Sequence, residues 1–233
     1  MGQLKGSNMI EINDLKKSYY LNAKSEQVNI LQGLNLKVNS GEVIAIVGSS
    51  GSGKSTLLGL LSGLDQPDSG EVKIDQKSLQ QMSPNDLTQF RSSRIGIVFQ
   101  QYYLVNHLTA YENLTLPLDI LDKKYDQNSI DLALENVGLL HRSDHRPTEM
   151  SGGECQRLAL ARALIIKPSL LLADEPSGSL DIETGQKVMA LFFEQVRQQN
   201  TTTILVTHDL DLARKCDRIY KLNHGQLEII KNA

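Results

Sequence analysis

The run Val43–Val47 (VIAIV) and the nine residues after it, Gly48-Ser49-Ser50-Gly51-Ser52-Gly53-Lys54-Ser55-Thr56, constrain this chain more than any other stretch. Five consecutive apolar residues, mostly β-branched, read as a strand buried on both faces, and such strands belong to parallel sheets covered by helices. Leu57 and Leu58 resume the apolar pattern, so a helix leaves the loop. Gly48, Gly53, Lys54 and Ser55 have the spacing of a phosphate-cradling turn, Gly-x-x-x-x-Gly-Lys-[Ser/Thr]. Glycine lets the backbone wrap a polyphosphate with several N–H groups pointing inward, and the helix N-terminus adds positive potential at the same spot. Lys54 then reaches the β- and γ-phosphates of a nucleoside triphosphate, and the Ser55 hydroxyl ligates Mg²⁺. A flexible glycine-serine linker shares the composition but has no buried strand before it and no helix after it.

The rest of the chain fits that start. Residues 10–15 and 31–38 alternate apolar and polar side chains as half-buried strands do, and Asn39-Ser40-Gly41 signals a turn. A helix is expected over 56–64, broken by DQPDSG at 65–70, with strands at 71–74 and 95–99. From about 101 to 167 the pattern becomes mostly helical: 130–140 carries apolar residues at helical spacing, and 156–166 (QRLALARALII) is strongly amphipathic. Strands return at 169–173, 203–207 and 219–222, with a helix over 184–199. No internal repeat or low-complexity linker interrupts this order. The expectation is one domain over residues 1–233: a parallel α/β core (roughly 9–100 and 168–233) carrying a helical insertion (roughly 101–167).

A net charge of −3 over 233 residues gives neither a nucleic-acid-binding tail nor a polybasic membrane patch. No apolar run approaches the length of a membrane-spanning helix. The start, MGQLKGSNM, lacks the apolar centre of an export signal, and Gly6 stands where a myristoylation motif needs Ser or Thr. Met9 is a second candidate start, which would make residues 1–8 foreign. Cys155 and Cys216 lie far apart without metal-type spacing and read as reduced thiols. His141, Asp144 and His145 invite a zinc reading, but Arg142 and Arg146 oppose a cation and Pro147 interrupts the segment. Cys155 reads better as a small packed residue than as a redox group, and DKKYD at 122–126 as a solvated loop.

The segment LLLADEP at 170–176 narrows the chemistry. A buried strand ending in Asp174 sets a carboxylate at the C-terminal edge of the sheet, where phosphates lie in such folds. Asp174 is suited to hold Mg²⁺ through water, and Glu175 to polarise an attacking water facing the γ-phosphate.

At Met150-Ser151-Gly152-Gly153-Glu154-Cys155-Gln156-Arg157 the chain resembles the signature of ATP-binding cassette (ABC) ATPases, usually written LSGGQ, with Met150 for Leu and Glu154 for Gln. The resemblance runs from about residue 9 to 228. It implies a P-loop NTPase core, RecA-like and mostly parallel, with an antiparallel β subdomain and an inserted α-helical subdomain. It implies ATP and Mg²⁺ as cofactors, with Ser55, Gln100 and Asp174 around the metal. It implies Glu175, His208 and Gln100 as catalytic residues. The ATP-binding set becomes Tyr19, Gly48, Ser49, Ser50, Gly51, Ser52, Gly53, Lys54, Ser55, Thr56, Ser151, Gly152, Gly153, Glu154 and Asp181. Tyr19 stands where an aromatic ring stacks on adenine, with Tyr20 as its competitor and a plain surface tyrosine as the alternative. Ser151–Gly153 would contact the γ-phosphate bound to the other copy of a homodimer, and Asp181 of SGSLD would cross to that copy.

Further stretches, GLDQPDSG at 63–70 and ENLTLPL at 112–118, resemble the group of lipoprotein-releasing (LolD), macrolide-efflux (MacB) and cell-division (FtsE) ATPases. His145-Arg146-Pro147 favours the lipoprotein-releasing type, while the tail TTTILVTHDLDLARKCDR also resembles YbbA ATPases; the two stay open, with a MacB-type or FtsE-like regulatory ATPase as alternatives. The group implies an ATPase peripheral to the cytoplasmic face of the inner membrane, driving transmembrane permease subunits and binding no nucleic acid. Residues 102–118 are the expected docking surface for that partner, with internal packing of the insertion as the alternative. Soluble ABC proteins of DNA repair or translation carry coiled coils or paired cassettes, and a GTPase carries Asn-Lys-x-Asp; this chain has none of these.

Overall fold

The computed structural model describes residues 8–20 and 27–230, and contacts group the chain into two compact units, Met1–Arg91 with Asn200–Ala233, and Ser92–Gln199. Residues 1–7, the segment bearing on which methionine is the start, lie outside the described residues.

In the first unit, β1 (Asn8–Tyr20) and β2 (Gln27–Asn39) form a long antiparallel pair. The strand β4 (Ser69–Ile74) pairs with the other edge of β1, and β5 (Lys77–Ser78) extends the sheet. This is the antiparallel subdomain. Its inward residues, Ile10, Ile12, Leu15, Leu34, Leu36 and Val38, are buried, as the alternating pattern requires. The strand β3 (Val43–Val47), buried along its whole length, runs parallel to β8 (Thr202–Val206) on one side and to β9 (Arg218–Asn223) on the other. The strand β10 (Gln226–Ile230) closes the edge antiparallel to β9. Helices α1 (Lys54–Leu61) and α7 (Leu210–Ala213) belong to this unit, and α2 (Pro84–Arg94) carries the chain out of it. Arg218 clamps the parallel sheet to its surroundings, donating to Glu42, to the Lys37 carbonyl (2.7 Å) and to the Tyr220 hydroxyl (2.7 Å).

In the second unit, β6 (Ile95–Val98) and β7 (Leu170–Asp174) form a parallel pair, and α6 (Ile182–Gln198) follows β7. The helices α3 (Ala110–Ile120), α4 (Gln127–Glu135) and α5 (Gly152–Leu164) share one apolar core built from Ala110, Leu114, Ile130, Leu134 and Leu158. Each of the three starts on a side-chain cap, Thr109, Asp126 or Ser151.

The differences from the sequence pattern are local. The first helix begins at Lys54 rather than 56, because Gly53 in the left-handed region (φ 102) caps it, and it stops at Leu61. The periodicity at 130–140 continues past Glu135 as turns around Gly138 (φ 67). Helix α2 buries only Phe90, so it leaves no apolar stripe in the sequence, and the exposed strand β10 leaves none either.

Candidate functional site: a phosphate loop and a signature turn

The loop between β3 and α1 is shaped by what glycine permits. A Cβ on Gly48 would lie 2.7 Å from the Leu222 carbonyl oxygen and 2.7 Å from Ser52 Oγ, and one on Gly53 would lie 2.7 Å from Ile30 Cγ2. The backbone therefore approaches its neighbours closer than any other residue allows. Lys54 is buried, and its ammonium donates to the Gly48 and Ser49 carbonyls, both at 2.9 Å, so the side chain folds back over its own loop. No side chain caps the N-terminus of α1, which leaves its first N–H groups for another acceptor. Ser52 Oγ is buried with no hydrogen-bond partner among the described residues. An orphaned hydroxyl beside uncapped N–H groups and a lysine is the donor set a phosphate satisfies.

His208 follows β8, and parallel pairing of Ile46 with Val206 makes the loops after β3 and β8 leave the sheet side by side. Thr207 is buried and its hydroxyl accepts from the Asp209 N–H (3.0 Å), while Asp209 caps α7 through the Asp211 and Leu212 N–H groups. His208, exposed, is held between two pinned neighbours. Beside the start of α1 in the same unit, where the Thr56 side chain also bonds it, the Tyr19 hydroxyl donates to Asp65 Oδ2 (2.6 Å), and Lys17 bonds Asp65 Oδ1 (2.8 Å) while standing 4.9 Å from the Tyr19 ring centre. Burial pushes the Asp65 carboxyl up, but the hydrogen bonds from Lys17 and Tyr19 outweigh it and hold the group below its ordinary range. Tyr19 is 41% exposed and tethered; Tyr20 is 70% exposed.

The second unit brings four of the expected motifs together. Val98 pairs with Ala173 in parallel register, so Gln100 and the Asp174-Glu175 pair emerge from adjacent strand ends. Glu175 takes φ 45, a left-handed turn uncommon outside glycine, which bends the chain sharply after the strand. Gly178 lets the Gln100 amide approach, since a Cβ there would meet Nε2 at 2.9 Å. Ser179 Oγ donates to the Gln100 carbonyl (3.1 Å) and bonds the Tyr102 hydroxyl (3.3 Å). That hydroxyl would lie 2.8 Å from a Cβ on Gly152, and a Cβ on Gly153 would meet Thr184 Cγ2 at 2.4 Å. Thr184 in turn donates its N–H to Asp181, the cap of α6.

Ser151 caps α5 in a reciprocal box. The Glu154 N–H donates to Ser151 Oγ (3.3 Å), and Glu154 Oε2 accepts from the Ser151 N–H (2.8 Å) and hydroxyl (2.9 Å). Glu154 Oε1 accepts from Arg142 Nε at 3.0 Å. The Ser151 backbone bond foremost, with Arg142 and against the push of burial, lowers the Glu154 pKa to about 2.

Three structural partners escaped the sequence: Arg142, Tyr102 and Gln156. Gln156 is fully buried and donates to the Phe99 carbonyl (3.3 Å), one residue before Gln100. Its burial is decided by packing and carries no mark in the sequence, and nothing in spacing marks Arg142. Cys155 is buried, its thiol donating to the Pro147 carbonyl (3.4 Å), as a packed residue.

A strand-fed glycine loop opening a helix defines a P-loop NTPase. The ABC transporter family model matches residues 31–178, and the chain belongs to that family as an ATP-binding, ATP-hydrolysing cassette. It is 45% identical over 223 residues to the uncharacterized ABC transporter ATP-binding protein YbbA of Escherichia coli (strain K12), covering 95% of this chain and 97% of that one. It is 43% identical over 223 residues to the lipoprotein-releasing system ATP-binding protein LolD of Myxococcus xanthus (strain DK1622), covering 94% and 98%. Among solved structures, a dimeric, post-hydrolysis state of the ATP-binding cassette MJ0796 bound to ADP and Pi superposes with a TM-score of 0.85 at 37% identity, covering 94% of this chain and 97% of that one.

Proposed function

We propose that two copies of this chain close head to tail over two ATP molecules and thereby drive membrane-embedded permease subunits. The observation that carries the reading is the assembled turn Ser151-Gly152-Gly153, an anion-ready helix start set among the segments bearing Gln100, Glu175 and Asp181. In this reading the P-loop residues 48–56 of one copy hold the triphosphate, Lys54 leaves its carbonyl partners for the β- and γ-phosphates, and Tyr19 offers its exposed ring to adenine. Ser55, Gln100 and Asp174 each carry an oxygen of the kind Mg²⁺ takes, and in this reading they would supply it to the ion. The ion would neutralise phosphate charge as the γ-phosphoryl leaves. Glu175 orients and deprotonates the attacking water, His208 steadies the γ-phosphate, and Asp181 reaches the second copy. Residues 101–167 act as the helical subdomain that carries the signature.

Closure and reopening would move permease subunits at the cytoplasmic face of the inner membrane, where the cassette sits peripherally. No helix among the described residues is long and apolar enough to cross a membrane. The likeness to LolD supports a lipoprotein-releasing or closely related system, and the likeness to YbbA supports the same subgroup. Within 102–118, Ala110, Leu114 and Leu118 serve the helical core, leaving Tyr103, 64% exposed, as the better docking candidate.

The test is Glu175→Gln. It should abolish phosphate release and leave an ATP-bound dimer stable enough to isolate by size-exclusion chromatography with light scattering. A variant that stays monomeric in ATP at every concentration tried would refute the sandwich.

A further inference from the structure

Glu154 places a carboxylate inside the turn that, on the reading above, meets the triphosphate of the second copy. Two like charges brought together with little water between them oppose association unless a cation intervenes. The structure supplies that cation. Arg142 comes from the turn after α4, twelve residues before Glu154, and its Nε donates to Oε1 at 3.0 Å. The Glu154 side chain is only 14% exposed and the Arg142 side chain 34%, so the pair is partly withdrawn from solvent. The other carboxylate oxygen holds both the N–H and the hydroxyl of Ser151.

Glu154 thus serves two neighbours with one oxygen each. One oxygen fixes the serine, and the other is tied to the arginine. We propose that Arg142 is a positioning residue of the signature turn: it neutralises Glu154 and fixes its rotamer, so that the Ser151-Gly152-Gly153 turn can receive the γ-phosphate of the nucleotide on the second copy. A carboxyl of ordinary pKa is already ionised near neutral pH, so protonation cannot take the arginine's place there. Without Arg142 the turn keeps a full negative charge facing a polyanion, and the carboxylate is free to swing away from Ser151.

This inference rests on the sandwich reading, and a double-substitution cycle separates the two. In the Glu175→Gln background, the ATP-dependent dimer dissociation constant is measured by sedimentation for Arg142→Ala, Arg142→Lys, Glu154→Gln and the pair Arg142→Ala with Glu154→Gln. Arg142→Ala should weaken the dimer about tenfold or more, and Arg142→Lys less, since it keeps the charge but not the guanidinium's reach. With Glu154→Gln already present, adding Arg142→Ala should cost less than about threefold, because no charge is left to compensate. Binding of a fluorescent ATP analogue to the monomer is the readout that general damage to the fold would lower; Arg142→Gln, a milder change, replaces Arg142→Ala should that affinity fall. Equal costs of the arginine substitution in both backgrounds would overturn the role of Arg142 while leaving the sandwich intact. If the Glu175→Gln parent does not dimerise in ATP, the sandwich itself fails and the role of Arg142 with it.

Discussion

Ser151 and Glu154 show how two adjacent turns of backbone become a single device. The serine caps the helix, the glutamate caps the serine, and the arginine caps the glutamate, so a charge that would fray a loop is spread over three hydrogen bonds. The folded-state pKa of Glu154, about 2, lies below the ordinary value of 4.5. The carboxylate therefore contributes stability that is complete above pH 4.5 and is lost as the pH falls through 2. Thermal melts of the parent and of Glu154→Gln should differ most near neutrality and converge on acidification across that window. A constant difference from pH 6 to pH 2 would mean that the carboxylate's bonds contribute nothing to the folded state. Legibility at this scale was uneven. Lys54, Ser55 and Asp174 were marked by position along the chain, since each follows a strand or opens a helix. Arg142 was not, because a partner brought by a turn from another segment has no fixed offset in sequence.

Among elements, α3 and the loop before it show why residues 102–118 were ambiguous on paper. Asn113 looks like a surface residue of a helix, yet it is fully buried. Its amide donates to the Val105, Leu108 and Thr109 carbonyls, and its carbonyl accepts from the Val105 N–H at 2.9 Å. Arg162 of α5 donates to the Tyr102 and Tyr103 carbonyls from the other side, at 3.1 and 2.7 Å. Two buried or half-buried polar side chains thus replace the regular hydrogen bonds that this loop lacks. Asn113→Leu keeps the branching of the side chain and removes all four of its bonds, taking from the Val105 N–H and the Leu108 carbonyl the partner the amide gave them, while the Val105 and Thr109 carbonyls keep backbone donors. It should cost at least ~2 kcal/mol in urea unfolding and should open residues 102–109 to proteolysis. A loss within ~0.5 kcal/mol would mean that water replaces the amide and that the loop is not held by it. Helix α2 and strand β10 escaped the sequence for a related reason: elements that bury few apolar residues carry no periodic signal, whatever their hydrogen bonding.

For the molecule as a whole, nucleotide binding and self-association are expected to be one linked equilibrium. A ligand that binds only the folded chain raises its melting temperature, and a ligand shared between two chains makes that rise depend on protein concentration. In the Glu175→Gln variant, ATP should therefore raise the melting temperature by an amount that grows as protein concentration rises from low to high micromolar. Adding Lys54→Ala should remove both the rise and its concentration dependence. A rise that ignores protein concentration would point to a monomer that binds ATP without partnering.

The sequence by itself determined the phosphate loop, the strands buried on both faces and the identity of the family, because these rest on residue types at fixed offsets along one segment. The tertiary structure alone decided which tyrosine is tethered, that Asn113 and Gln156 face inward, and that an arginine twelve residues away accompanies the signature's carboxylate. Those choices depend on side chains meeting across segments, and the distance between two such groups is set by how helices and strands pack, which no local pattern of residues encodes.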